Sequence, residues 1–428
     1  METVQIGSNN SVFKERSNLV LYSAGKTVSV FGTAIYNFAL GLYVLKLTGS
    51  AFSFALILIL GIIPSIILNP IAGVVADRFS KKWLAVSMDL LSGILLVLVY
   101  MVSMLNSLGL MLIYTATFLL TVFATFFGVG LESAKPHIVT KKRLMNLNSI
   151  SKIIESVSTI LAPMLGGLVY AIFDIRTFII INGISFILSG LSILLIDFRL
   201  NGGEPAKEQA KTKLNIMADL KDGFCYLSGK KNIMGLFVTL ISLNFSLGFA
   251  VIVPLPYILI TVFGLDAKQF GLIEGMFPVG LILGAIFVKK ITEKIAYSVL
   301  LSWIGVAFSI LMIAIGVPVI LTGSEAGLYL LVLYYGITMV LFGFCVALID
   351  IPLSYFLQTM IPDEYRGRVL SIGISLGKVM IPVAIIASGA LLGLVPAYLM
   401  PIAGGLLFLI INIRSSKEIN IGLKKESA

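Results

Sequence analysis

Apolar positions fill this chain in runs of roughly twenty, and polar positions are confined to brief interruptions between them. A helix needs about 20 mostly apolar residues to cross roughly 30 Å of hydrocarbon, with every backbone group paired inside it. The runs predict spans near 19–45, 51–75, 84–105, 110–131, 149–173 and 176–196, then near 233–260, 270–288, 298–317, 326–350, 369–394 and 397–413. The longest hydrophilic stretch, 197–232, separates six spans from six. The pattern therefore predicts an all-α integral membrane protein with twelve transmembrane helices in two pseudo-symmetric six-helix bundles, over 1–196 and 233–413. A linker over 197–232 joins them and a tail follows over 414–428. In the linker Ile216, Leu220, Phe224 and Leu227 recur at helical spacing, which predicts an amphipathic helix on the inner membrane face.

Composition agrees with the pattern. Of 428 residues 58% are hydrophobic and 12% charged, against about 25% charged in an ordinary soluble domain. A net charge of +10 raises the question of nucleic acid, and the location of the cations answers it. Lys14, Arg16, Arg78, Lys81, Lys82, Lys141, Lys142, Arg143 and the linker lysines fall on one side of the alternating topology, while Lys46, Arg176 and Lys268 fall on the other. That bias places the basic loops and both termini in the cytoplasm, and the expected setting is a bacterial cytoplasmic membrane. The first 17 residues lack the apolar core of a signal peptide, so the first span is expected to direct insertion.

Cys225 and Cys345 are too few for a disulfide framework, and His137 lies in a basic segment with no companions that would make a metal cluster or nucleophile triad. No phosphate-binding loop of the Gly-x-x-x-x-Gly-Lys-Ser/Thr kind is present. The expectation is a carrier, not an enzyme, with no cofactor beyond a proton gradient. An internal echo supports duplication: Asn37-Phe38-Ala39-Leu40-Gly41-Leu42 in the first span resembles Asn244-Phe245-Ser246-Leu247-Gly248-Phe249 in the seventh. Repeated halves that meet at a midplane site are a common transporter plan.

Between the second and third spans stands Gly73-Val74-Val75-Ala76-Asp77-Arg78-Phe79-Ser80-Lys81-Lys82. This hairpin resembles the loop motif of the major facilitator superfamily, with Ser80 where that motif usually has Gly. Further passages are similar to the macrolide-efflux and siderophore-exporter branch: Leu47-Thr48-Gly49-Ser50-Ala51, Ala162-Pro163-Met164-Leu165-Gly166-Gly167 and Pro362-Asp363-Glu364-Tyr365-Arg366-Gly367-Arg368-Val369. The resemblance implies that Asp77 faces Arg366 and Arg368 at the start of the eleventh span, where the contact would hold a cytoplasmic gate shut. The 162–167 passage resembles the antiporter motif of drug exporters, with Ala162 for its first Gly. Pro163 removes a helix hydrogen bond, while Gly166 and Gly167 allow a neighbouring helix to approach.

An ionisable group at mid-bilayer costs about 2.5–3.5 kcal/mol on insertion scales, so each such group invites a functional reading. Lys26, Asp89, Glu132, Lys152 and Asp350 lie near the predicted inner surface, where snorkelling or a gate salt bridge lowers that cost. Glu155 and Glu274 lie deeper and are the leading proton-coupling candidates, with Asp350 the third; the competing reading of the first two is a fixed ion pair with Lys26 or Lys378. Tyr36, Asn37, Asn244, Tyr334, Lys26 and Lys378 are the candidates for the substrate cavity. The expected function is export of an amphipathic small molecule such as a macrolide in exchange for protons, by alternating access in a monomer. A siderophore or lysophospholipid is the alternative cargo, since an anionic substrate would use Lys26 and Lys378 as cavity cations. A non-transporting scaffold is the remaining class.

Overall fold

A computed structural model describes residues 2–105, 108–198, 230–295, 297–322, 327–360 and 363–426. The predicted linker helix at 216–227 and the side chains of Asp77, Arg366, Arg368 and Lys378 lie outside the described residues. The helices are α1 (Glu2–Thr48), α2 (Ala51–Leu60), α3 (Ile63–Arg78), α4 (Lys81–Leu105), α5 (Leu110–Ile138), α6 (Lys141–Ile172) and α7 (Ile175–Leu194) in the first half of the chain. In the second half come α8 (Lys231–Leu247), α9 (Pro254–Pro256), α10 (Ala267–Thr292), α11 (Tyr297–Thr322), α12 (Leu328–Met360), α13 (Asp363–Leu391) and α14 (Leu399–Glu426). No strand occurs among the described residues. Ten spans there are long and apolar enough to cross a membrane, and shorter apolar stretches, Val379–Leu391 and Leu399–Ser415, belong to α13 and α14. The chain forms two compact units, Met1–Tyr43 with Leu56–Lys211, and Val44–Ala55 with Thr212–Ala428.

In the first unit, close packing depends on missing side chains. A Cβ on Gly93 of α4 would lie 2.7 Å from the Gly183 carbonyl of α7, and one on Gly190 would meet Leu90 at 3.1 Å and Asp89 at 3.4 Å. A Cβ on Gly32 of α1 would meet Asn182 of α7 at 2.7 Å, and the Asn182 amide donates to the Gly32 carbonyl at 3.1 Å. In lipid, where helices gain no hydrophobic drive toward one another, such small residues let backbones meet and van der Waals contact accumulate. Asn18 clasps the end of the unit that carries the α3–α4 turn, here called the basic end. Its amide donates to the carbonyls of Ile138 at 2.9 Å and Asp197 at 2.8 Å, and its oxygen accepts from the Asp197 backbone N–H at 2.9 Å.

The predicted second span is two helices, and the reason is local. Pro64 in the first turn of α3 has no N–H to donate, so the ladder stops at Gly61-Ile62 and restarts. A similar cause reshapes the seventh predicted span. Pro254 and Pro256 interrupt it, and π-helical segments Gly248–Ile252 and Tyr257–Val262 flank the interruption. Both first spans of the halves end on a glycine with left-handed backbone, Gly49 at φ 62° and Gly264 at φ 68°. That conformation suits glycine as a helix terminator and repeats at matching places in the two halves.

The second unit uses the same packing device. A Cβ on Gly280 of α10 would collide with the Val340 carbonyl of α12, and one on Gly343 with that of Phe277. In α11, Pro318 leaves the carbonyl four residues earlier, Ala314, without its helical donor. The Tyr334 hydroxyl of α12 fills the vacancy at 2.7 Å, and Tyr335 donates to Ile315 at 2.8 Å.

Candidate functional site

Along the membrane-spanning part of α1, Tyr22, Lys26, Ser29, Thr33 and Asn37 recur every three or four residues and form one polar stripe. Hydrocarbon offers these groups no partners, so the stripe turns inward and its lower half is used up in an ionic cluster. The Lys26 ammonium, on a side chain only 5% exposed, binds Glu132 of α5, Ser151 of α6 and, at 2.8 Å, Glu155 of α6. Glu132 also takes Lys135 and the Ser151 hydroxyl, the latter at 2.8 Å, while Tyr22 reaches Ser151 at 3.3 Å. Lys152 adds a second cation to Glu155 at 3.4 Å.

Of the two readings open for Glu155, the structure gives the ion pair. Lys26 at 2.8 Å and the exposed Lys152 at 3.4 Å are the cations beside its carboxylate. Lys26 is likewise committed and is no free cavity cation. It therefore lends no support to an anionic cargo.

The upper half of the stripe borders open space. A cavity of about 270 Å³ is lined by Ser29, Thr33, Asn37, Asp89, Ser92 and Phe127, among others. A second, about 430 Å³, is lined by Thr33, Asn69, Thr121, Gly128, Glu132 and Ser133 among its residues. Thr33, Ala124 and Gly128 belong to both linings, so the two spaces adjoin. The Thr33 hydroxyl oxygen and the Asn37 amide oxygen are buried with no hydrogen-bond partner in the protein. Unspent acceptors of this kind are rare in protein interiors and suit a ligand or water in the space beside them.

Asp89 closes the first cavity. It is 2% exposed, and the Ser29 hydroxyl lies 2.8 and 2.7 Å from its two oxygens, with the Ser189 hydroxyl of α7 at 2.6 Å. The expected gate salt bridge has no counterpart at it, since no cation touches it among the described residues. Gly93 and Gly190 bring α4 and α7 close enough for that contact. The sequence signals that could have found it are Ser29 and Ser189, two hydroxyls in apolar spans.

The remaining candidates are dispersed. Glu274 on α10 is half-buried and Asp350 on α12 is exposed, neither with an ion pair among the described residues. The Asn244 amide donates to Leu240 of its own helix at 2.9 Å beside Gly377 of α13, and Tyr36 is fully buried. Tyr334 is not a cavity residue by its hydroxyl, which serves the Ala314 carbonyl. In the hairpin, Gly73 has open space around it and Arg78 is exposed. Lys81 is half-buried, and Lys82 donates to the Ile196 carbonyl just past α7 at 3.0 Å. In α6, Ala162 is buried, Pro163 lies within the helix, and Gly166 packs on Phe38 of α1, where a Cβ would come within 2.9 Å; Gly167 is buried as well.

These features sit in a chain whose residues 23–385 match the sequence model of the Major Facilitator Superfamily. The chain belongs to that superfamily. It is a multi-pass membrane transporter and not an enzyme. Among relatives of this superfamily member is Macrolide efflux protein A of Streptococcus pyogenes, 22% identical over 369 residues, covering 85% of this chain and 87% of that protein. Among solved structures, a bacterial homologue of the iron transporter ferroportin in its inward-facing state aligns with TM-score 0.66 at 17% identity, covering 95% of this chain and 99% of that one. A D-xylose–proton symporter aligns with TM-score 0.60 at 14% identity, over 93% and 96% of the two chains. At these identities the structures establish the fold alone.

Proposed function

We propose that this major facilitator exports an amphipathic small molecule of macrolide type across the cytoplasmic membrane in exchange for protons. The observation that carries the reading is the resemblance to Macrolide efflux protein A along most of both chains. The first-unit cavity supports it, since an apolar lining with a few unspent acceptors suits an amphipathic guest. In this reading the bundles 1–196 and 233–413 rock about a central site, the 197–232 linker tethers them, and both termini lie in the cytoplasm. Protons running inward drive the cycle, and Glu274, half-buried and without an ion pair among the described residues, is the carboxylate retained from the sequence for the second bundle. The gate pairing of Asp77 with Arg366 and Arg368 belongs to the same proposal.

The test is accumulation of a labelled macrolide in bacteria with and without the protein. Expression should lower accumulation, and a protonophore should abolish the difference. Equal accumulation with and without the protein removes the macrolide, and a difference that survives the protonophore removes the protons.

A further inference from the structure

We propose that Asp89 is a proton-binding site of this transporter, loaded and emptied through the cavity beside Thr33 and Asn37, with Ser29 passing its charge state to α1. The inference rests on the proton-driven reading above and supplies that reading with a carboxylate in the first bundle.

The geometry has three parts. Asp89 stands where α1, α4 and α7 meet, 2% exposed, on the wall of a cavity that adjoins a second one reaching Glu132. A bare carboxylate in such a place must be neutralised, and the nearby cations are spent elsewhere. On α1, Lys26 holds Glu132 and Glu155, and Tyr22 joins the same cluster. On α5, Lys135 pairs with Glu132, and His137 lies in the last turn. On α6, Lys152 pairs with Glu155. The one charged residue of α7, Arg176, lies in its first turn, at the far end from Ser189. On α3, Arg78 lies in the last turn and is exposed; the side chain of Asp77 is outside the described residues. Of α4 itself, Lys81 begins the helix and Lys82 serves the Ile196 carbonyl.

The hydroxyl count then fits either charge state. Ser29 and Ser189 have one hydrogen each. With Asp89 ionised, both hydrogens go to its oxygens. With a proton added from cavity water, the acid donates to the Ser29 oxygen. Ser29 then donates to Ser189, 3.0 Å away, and Ser189 donates to the Gly25 carbonyl of α1, also 3.0 Å away. The two states differ by one proton and two hydroxyl rotations, so exchange needs no unfolding. Protonation thus turns the Ser189 hydroxyl from Asp89 of α4 to the Gly25 carbonyl of α1, and Thr33 and Asn37 of α1 stand one and two turns beyond Ser29 along the cavity wall.

The experiment is infrared difference spectroscopy of the purified full chain in lipid nanodiscs, titrated with pH in the absence of substrate, in sodium and in choline buffers. Wild type should show, beside the contribution that Glu274→Gln removes, a protonated-carboxyl component that titrates equally in both salts, is retained in Glu155→Gln and in Glu274→Gln and is lost in Asp89→Asn; Ser29→Ala should move its midpoint. A difference spectrum that Asp89→Asn leaves undiminished in the Glu274→Gln background overturns the site, and a component abolished by sodium overturns the proton in favour of a metal cation. Where Asp89→Asn yields no folded protein, Ser29→Ala decides, because an unmoved midpoint overturns the hydroxyl relay. The band is read without cargo, so failure of labelled macrolide efflux removes the export reading and leaves this site standing. Conversely, pH-driven macrolide efflux that survives Asp89→Asn removes the site and leaves the export reading.

Discussion

Lys26 is the residue on which most of the first-bundle polar groups converge. Removing one member of such a group strands the others, so Lys26→Met should cost about 1–3 kcal/mol, the discount from a fully buried pair reflecting carboxylates that are 42% and 40% exposed. Glu155→Gln should cost less, since Lys26 keeps Glu132, and the double variant should cost less than the sum. Thermal unfolding in detergent checks all three. Glu155→Gln should also retain pH-driven efflux in vesicles, and loss of it would restore that residue as the carrier. Sequence alone marked each intramembrane charge but could not choose among partners. Glu132 and Glu155 lie 106 and 129 positions from Lys26, and no periodicity reports a contact at that range. That no cation among the described residues reaches Asp89 is hidden for the same reason, because it too is a property of packing.

At the scale of elements, the helices were legible where apolar runs are uniform and less so where proline intervenes. The run 51–75 reads as one span by hydropathy, yet Pro64 splits it, and the paired prolines at 254 and 256 convert a plain α-helix into flanking π segments. Hydropathy is blind to a missing N–H. The helix contacts themselves make opposite predictions for two glycines. Gly93→Ala should destabilise by about 1–3 kcal/mol, because the new methyl must push α4 away from α7. Gly73→Ala meets nothing within 4 Å and should be neutral or stabilising by about 0.5–1 kcal/mol. Tyr334→Phe removes the donor that Pro318 makes necessary and should cost about 1–3 kcal/mol, while leaving macrolide efflux intact. Calorimetric or fluorescence melts of the purified variants distinguish these outcomes.

For the whole molecule, the two-bundle plan was readable from hydropathy and from the echo of 37–42 in 244–249, while the cavity was not, since it arises from faces on helices far apart in the chain. Orientation remains a chemical question with a direct answer. Ser80, exposed in the hairpin, becomes a reporter as Ser80→Cys in a background with Cys225 and Cys345 replaced. A membrane-impermeant maleimide should label it only after cells are opened, and labelling of intact cells would invert the topology. The Asn18 clasp carries a consequence of another kind, for biogenesis. Its two carbonyl partners come 120 and 179 residues later in the chain, so the first helix must wait in the bilayer, its amide not fully answered, until the ribosome has delivered Asp197. A nascent chain arrested between Ile138 and Asp197 holds a bundle whose first strut is only half fastened, and chaperones or quality-control proteases of the insertion machinery have that interval in which to act.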